Sequence, residues 1–409
     1  SIKSVKEQIR KIPDKGIGYG VLKYLNNEKY LNTENKENNL TKNENWDIVF
    51  NYLGQLDNVV SSGKWLSGAD EPSGSSTSKE SAVRNKIAVN GRVHKNELTL
   101  NWSYSTLHFE NETIEKLIEQ YQTNLESIIS HCIKTQKETG VINTPSDYNL
   151  GDEINFEELD KFLDDDFKGK PRREAIEGIY KLSGLQQGML FHGLYDENSG
   201  AYIEQLSCDL TNPNLDVIKK SWEYVLRNHS ILRSGFYSDE FSIPVQCVYK
   251  NAELPVEILD FSESNSEDQN KAIKEYEETD RYKGFDFKKA PLMRICLMKL
   301  SKEKYRMLWT SHHILFDGWS MPILMEEFLT AYENLISGKE LQSKEADRYE
   351  DYIRYIERVD KEKQENYWRG YMQGVEQSTL LPFIGTTKDR NKGVGDYSAE
   401  YLNLDEETN

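Results

Sequence analysis

Four cysteines in 409 residues are few, and Cys132, Cys208, Cys247 and Cys296 lie far apart with no CxxC pair. That spacing fits thiols that are reduced and packed, and no chemistry is assigned to them. Long apolar runs are missing as well. The hydrophobic stretches are short and broken by charge, and the first residues, SIKSVKEQIRKIPDKG, have neither a signal-peptide apolar core nor a transit-peptide composition. The chain is therefore expected to be soluble and cytoplasmic, without membrane partners. Positive charge is also scarce: 51 Lys and Arg stand against 69 Asp and Glu, for a formal charge of -18. Such a surface repels phosphate backbones and anionic headgroups, which makes nucleic acid a poor partner.

What is present is enough chain for two or three domains, at roughly 100–200 residues each. Val5, Ile9 and Ile12 fall at helical spacing until Pro13 ends the run, so the chain opens inside a helix, as a cut end would. A Gly-rich turn, KGIGYG, is followed by an apolar stretch at Val21–Leu25, a polar loop at 26–45 and a strand-like run at 47–55. A Ser/Gly-rich loop at 66–82 precedes strands at Lys86–Val93 and Glu97–Tyr104. A helix from about Thr113 then aligns Ile114, Leu117, Ile118, Tyr121, Leu125 and Ile128 on one face, and that face is expected to be buried. Residues 1–148 make a first lobe.

Beyond Lys137 the sequence turns polar, with an acidic tract at Asp164–Asp166 and a basic tract at Lys168–Arg173, and a linker is placed at 149–177. The amphipathic piece FEELDKFL within it is expected to pack locally. The second lobe, 178–409, opens on the helical segment KLSGLQQGMLFHGLY. Strands at Tyr202–Leu210, Pro244–Tyr249, Pro291–Leu300 and Tyr305–Ser311 follow, with a helix at Asp216–Asn228 burying Ile218, Trp222 and Val225. Their alternation predicts a layered α/β fold. No repeat of fixed period is present.

The run YRMLWTSHHILFDGWSMPILMEEFLTAYENLISG carries the densest chemistry. A strand ends at His312 and His313, a short loop holds Asp317 and Gly318, and a helix begins at Ser320, which is placed to cap it. Pro322 suits a first helical turn, and Leu324, Phe328, Tyr332, Leu335 and Ile336 give the helix a buried face before Gly338 ends it. A histidine titrates near about 6.5, so its neutral form accepts a proton at neutral pH. Facing a cleft, His313 would take one from an attacking amine or hydroxyl, with Asp317 anchoring the loop through an ion pair and Gly318 permitting the turn. The bland alternative is that the two rings point to opposite sides of a strand end and are merely packed. A metal site is disfavoured, because HHxxxD lacks a second His at helical spacing and has no Cys nearby. The glycines of KGIGYG (Gly16, Gly18, Gly20) do not make a phosphate loop, for no buried strand precedes them and no Lys-Ser/Thr follows.

SHHILFDGWS resembles the core motif of condensation domains of nonribosomal peptide synthetases. LSGLQQGMLFH (Leu182–His192), NHSILRSGF (Asn228–Phe236) and YEDYIRYIERVDKEKQENYWRGYMQG (Tyr349–Gly374) resemble other motifs of that family in the same order, over roughly 178–385. The resemblance implies lobes of chloramphenicol acetyltransferase-like fold. It implies that His313 is tied to peptide-bond formation, with His312 in support, Trp319 and Ser320 near substrate, and Asp317 held structurally by an arginine. That arginine normally opens the second motif, where this chain has Asn228, which leaves Arg233 or Arg294 as candidate partners.

The opening SIKSVKEQIRKIPDKGIGYG and the run DIVFNYLGQLD resemble the C-terminal half of an epimerization domain, over roughly 1–148. Asn51 and Tyr52 match positions lining the epimerization site in that family; without the family they are simply strand residues. The resemblances together imply a junction, the end of one domain and the start of the next, whose remaining lobes are expected upstream of Ser1 and beyond Asn409. Alone, such a fragment is expected to catalyse nothing. In the intact synthetase the upstream domain would epimerize a carrier-bound donor, and the downstream one would join the D-configured donor to an aminoacyl acceptor. No cofactor is expected to bind directly, since both substrates arrive on phosphopantetheine of peptidyl carrier domains loaded by an adenylation domain. The rivals are a catalytically silent module that docks carriers and a free-standing CoA-dependent acyltransferase.

Overall fold

Burial differs from strand to strand, alternating in Ile87–Arg92 but continuous in Val245–Tyr249. In a computed structural model, the structure describes residues 2–21, 46–55, 85–94, 96–151, 153–195, 200–342, 348–375, 400 and 402. The polar loop at 26–45 and the Ser/Gly-rich loop at 66–82 lie outside the described residues. The first sheet has the order β1 (Ile48–Gln55), β2 (Ile87–His94), β3 (Glu97–Tyr104), with β1 parallel to β2 and β3 antiparallel to it. Ile87 and Val89 on β2 turn the same way and bury against Ile114 of the long helix Asn111–Thr139, while Trp102 meets Tyr121 edge-on. The helix face was expected to be buried as far as Ile128, but Leu117 and Ile128 are exposed. Length explains Ile128 but not Leu117, which lies between the packed residues Ile114 and Tyr121. A 29-residue helix runs about 43 Å, whereas an eight-residue strand spans about 26 Å, so the helix overhangs its sheet.

Residues 149–177 are not an extended tether. α-Helix Phe156–Asp164, capped by Asn155 on the Glu158 N–H (2.9 Å), buries Leu159, Phe162 and Leu163. These side chains join Leu150, Ile154, Ile176, Ile179, Tyr237 and Val245 in one cluster beneath the sheet β6 (Ile176–Lys181), β9 (Val245–Tyr249), β8 (Ser234–Tyr237). The acidic and basic tracts face each other across a small hairpin, β4 (Asp166–Phe167) to β5 (Lys170–Pro171). Arg172 reaches Asp165 (2.9 Å) and lies over the Phe162 ring, and Arg173 reaches Asp164 (2.9 Å). Opposite charges that read as a solvated linker are cross-hairpin partners. By compactness the chain forms two units, residues 1–349 and 350–409.

In the larger unit a four-stranded sheet runs β10 (Val256–Asp260), β11 (Met293–Lys299), β12 (Lys304–His312), β7 (Ile203–Thr211). β10 is parallel to β11 and the other neighbours are antiparallel. One face packs on helices Leu215–Asn228 and Ser320–Ile336, with Trp222 against Trp309 (ring centroids 4.8 Å apart) and Phe328 (4.6 Å). The opposite face places Cys296, Met298 and Leu308 against Ile273 of helix Ser266–Lys283. In the second unit, helix Lys361–Tyr371 is capped by Asp360 on the Lys363 N–H (3.0 Å). The cysteines are not uniformly packed, since Cys247 and Cys296 are buried but Cys132 is exposed. Among the described residues no helix is long and apolar enough to cross a membrane.

Leu159 has no exposed surface. Truncation to Ala leaves a cavity in a packed cluster, and Leu159→Ala is expected to lower unfolding free energy by about 2–5 kcal/mol in urea titrations. A tether residue would leave the midpoint unmoved.

Candidate functional site

β12 brings the histidine pair to the end of the sheet and holds it from both sides. His312 pairs with Ile203 on β7, and its N–H donates to Leu292 O (3.0 Å); the next N–H, of His313, donates to Tyr202 O (2.8 Å). Successive peptides are therefore anchored to opposite neighbours, and the two rings enter different surroundings.

His312 is buried, 4.9 Å from the Phe287 ring and 6.2 Å from that of Tyr202. Its Nδ1 accepts from the Ile314 N–H (3.0 Å), so the neutral ring carries its proton on Nε2. Burial, and then the neighbouring His313, bring its pKa down to about 4, and the ring is neutral at physiological pH.

His313 is partly open, with 29% of its side chain exposed. Its Nδ1 lies 2.9 Å from Phe316 O. A carbonyl only accepts, so Nδ1 carries the proton and Nε2 keeps a free lone pair. The two rings differ in exposure, His312 being packed and His313 partly open. Glu204, on β7, places Oε1 3.4 Å from the same Nδ1.

Among the described residues Asp317 finds no arginine. It is exposed, and its Oδ1 accepts from the Ser320 N–H (2.9 Å) and Oγ (2.7 Å), bonds that hold the carboxyl below its ordinary range. Both candidate partners are engaged elsewhere. Arg233 is buried on Glu177 (2.6 Å), Leu226 O (3.2 Å) and Tyr249 O. Arg294 binds Asp280 (2.6 Å) and Gly284 O (2.8 Å). The loop is anchored instead to the first turn of the following helix, whose free N–H groups favour a carboxylate. Ser320 is thus a donor to Asp317 rather than the cap. Gly318 does not adopt a left-handed φ and a Cβ there would meet nothing within 4 Å, so the turn does not require glycine. Trp319 is 88% exposed beside it. Asn228 is buried, and its Nδ2 has no hydrogen-bond partner among the described residues; the next residue, His229, bonds Glu327 (2.9 Å).

Asn51 and Tyr52 lie exposed on β1, with Asn51 donating to Asn90 Oδ1 (3.3 Å) and Tyr52 packed beside Gly91, both contacts within that sheet. Among the described residues no three His, Cys, Asp or Glu side chains converge as metal ligands. Glu204 and the Phe316 carbonyl were missed at the level of sequence, because strand register and loop path, not residue spacing, bring them to His313.

The site is thus a mixed α/β fold presenting one half-open imidazole of fixed tautomer at a strand end. A family model described as Condensation domain matches residues 1–150 and 176–408, leaving out the helix and hairpin between them. A linear gramicidin synthase of Brevibacillus parabrevis is 35% identical over 405 residues, covering 98% of this chain and 5% of that protein. Bacitracin synthase 3 of Bacillus licheniformis is 36% identical over 393 residues, covering 96% and 6%. The starter condensation domain of rhizomide synthetase is similar in structure at 17% identity and a TM-score of 0.44, covering 49% of this chain and 52% of that one. The chain belongs to the condensation-domain family of nonribosomal peptide synthetases. It spans only 5% and 6% of the length of the two synthases.

The lowered pKa of His312 has a consequence for stability. Its unfolded ring titrates near 6.5, so as pH falls from there toward 4 the unfolded chain binds a proton that the folded chain refuses. Stability then falls by up to about 1.4 kcal/mol per pH unit and levels off below 4. Carboxylates also titrate at the lower end of this window, so the measurement is the difference between wild type and His312→Gln in urea titrations from pH 7 to 4. The variant is expected to lack this share of the slope.

Proposed function

We propose that this chain is a junction within a nonribosomal peptide synthetase, in which residues 1–148 derive from the C-terminal half of an epimerization domain and the following lobe from a condensation domain that accepts a D-configured donor. The observation that carries the catalytic part is the His313 ring, with Nδ1–H on the Phe316 carbonyl and Nε2 left as an acceptor. The resemblance of the opening SIKSVKEQIRKIPDKGIGYG to epimerization domains supports the order of the halves. The acceptor amine attacks the donor thioester carbonyl; the C–N bond forms as Nε2 takes the amine proton, and collapse breaks the C–S bond, with that proton passing to the departing thiolate. His312, neutral and buried, does not compete for the proton. Both substrates are presented on phosphopantetheine of peptidyl carrier domains, loaded by adenylation domains of the same assembly. A poised, half-open His313 favours this reading over a silent docking module.

In the complete synthetase, His313→Ala is expected to abolish dipeptide release while amino-acid loading of the carriers continues; normal peptide yield would remove His313 from the role. A donor with a D-configured terminal residue is expected to be condensed at least about 10-fold faster than its L-epimer, a difference of about 1.4 kcal/mol in transition-state binding. Equal rates would refute the donor type.

A further inference from the structure

Glu204 stands behind the His313 imidazole. It faces Ser311 across the β7–β12 pairing, so its carboxylate rises from the neighbouring strand to the Nδ1 side of the ring. One oxygen lies 3.4 Å from Nδ1, and the other, Oε2, is buried with no hydrogen-bond partner among the described residues. A carboxylate oxygen kept from water without a donor is unfavourable, and a charge held there is best compensated by a proton nearby. The protonated His313 Nδ1 lies 3.4 Å from the other oxygen of the same carboxylate.

We propose that Glu204 is a positioning residue of the condensation site, which together with the Phe316 carbonyl keeps the His313 proton on Nδ1 and leaves Nε2 as the base. This rests on the reading of His313 as the proton acceptor. The opposite tautomer would aim the Nδ1 lone pair at two oxygens, the carbonyl at 2.9 Å and the carboxylate at 3.4 Å, and is repelled by both. When Nε2 takes the amine proton, the ring becomes cationic and the carboxylate behind it stabilises that state. The logic is that of the carboxylate in a Ser-His-Asp triad, which orients the imidazole and fixes its tautomer without taking the proton.

The discriminating change is Glu204→Gln, which keeps the size of the side chain but supplies an amide N–H that can donate to Nδ1. The imidazole is then free to move its proton to Nε2, where it blocks the base. The chain labelled with ¹⁵N-histidine reports this directly, with the His313 resonances assigned by their loss in His313→Asn. In the wild type, Nδ1 is expected to be the protonated nitrogen. In Glu204→Gln a major fraction should carry the proton on Nε2, whereas Glu204→Asp, which retains the charge, should keep it on Nδ1. In the complete synthetase, kcat of Glu204→Gln should fall about 10- to 100-fold, with KM for the carrier-bound acceptor within about twofold. A wild-type tautomer in Glu204→Gln overturns the proposal. If that variant shows no cooperative thermal transition, Glu204→Ala takes its place, and an undisturbed Nδ1–H tautomer there overturns the proposal equally. The ring spectrum does not depend on turnover. An unchanged tautomer therefore sinks the role of Glu204 and leaves His313 standing, while normal peptide yield in His313→Ala sinks the role of His313 whatever the spectrum shows.

Discussion

The pairing of β12 with β7 and β11 is the constraint on which the site depends. β12 is hydrogen-bonded on both sides along its length, and its last two peptides are tied to Leu292 and Tyr202. Alternation along one such strand sends Met307 and Trp309 into the core shared with Trp222 and Phe328, and Leu308 to the other face. The same alternation separates His312 from His313. A slip of one residue in the β7–β12 register would exchange the two faces. Two large rings, Trp222 and Trp309, both fully buried and in contact, make that slip costly and so fix where His313 emerges.

Beside this core lies a buried polar set that ties β11 and β12 to a helix. Asp280 accepts from Arg294 (2.6 Å), from Thr310 Oγ1 (2.6 Å) and from Gln205 (3.2 Å), which links one helix to three strands. A buried pair of this kind contributes little net stability, but loss of one partner costs about 3–5 kcal/mol because a charge is left uncompensated. Arg294 is therefore committed to the scaffold, as Arg233 is on Glu177 and the carbonyls of Leu226, Tyr249 and Lys250. Both arginines are engaged elsewhere, and Asp317 is held by the N–H and hydroxyl of Ser320.

Much of the fold was legible where apolar side chains recur regularly or run together. β7 and helix Leu215–Asn228 were readable from period two and helical spacing, and β12 from a short apolar run that is buried on both faces; their ends fall within a residue or two of expectation. Helix Ser266–Lys283 was not, because only Ile273 and Asp280 are buried in eighteen residues dominated by charge. The hairpin around 164–173 was missed for a related reason: charge runs signal a linker when their partners are unknown, and here the partners are each other. At the site, the histidine pair was visible in sequence while its environment was not. Which carbonyl receives the Nδ1 proton, and which carboxylate lies beyond it, depend on the loop path at Phe316 and on strand register.

The two adjacent histidines show why residue type alone does not assign a role. Both lie at one strand end, and their Nδ1 atoms play opposite parts, acceptor in His312 and donor in His313. His312 accepts a backbone N–H at Nδ1 and is desolvated, so its basic nitrogen is occupied and its charged form is disfavoured. His313 donates at Nδ1 and keeps Nε2 free at a partly open position. A change that moved one proton from Nδ1 to Nε2 of His313 would leave every heavy atom where it is and still take away the acceptor at Nε2. It follows that the site is specified as much by the acceptors behind the ring as by the ring itself. Substitutions of those acceptors should then be read by tautomer before they are read by rate.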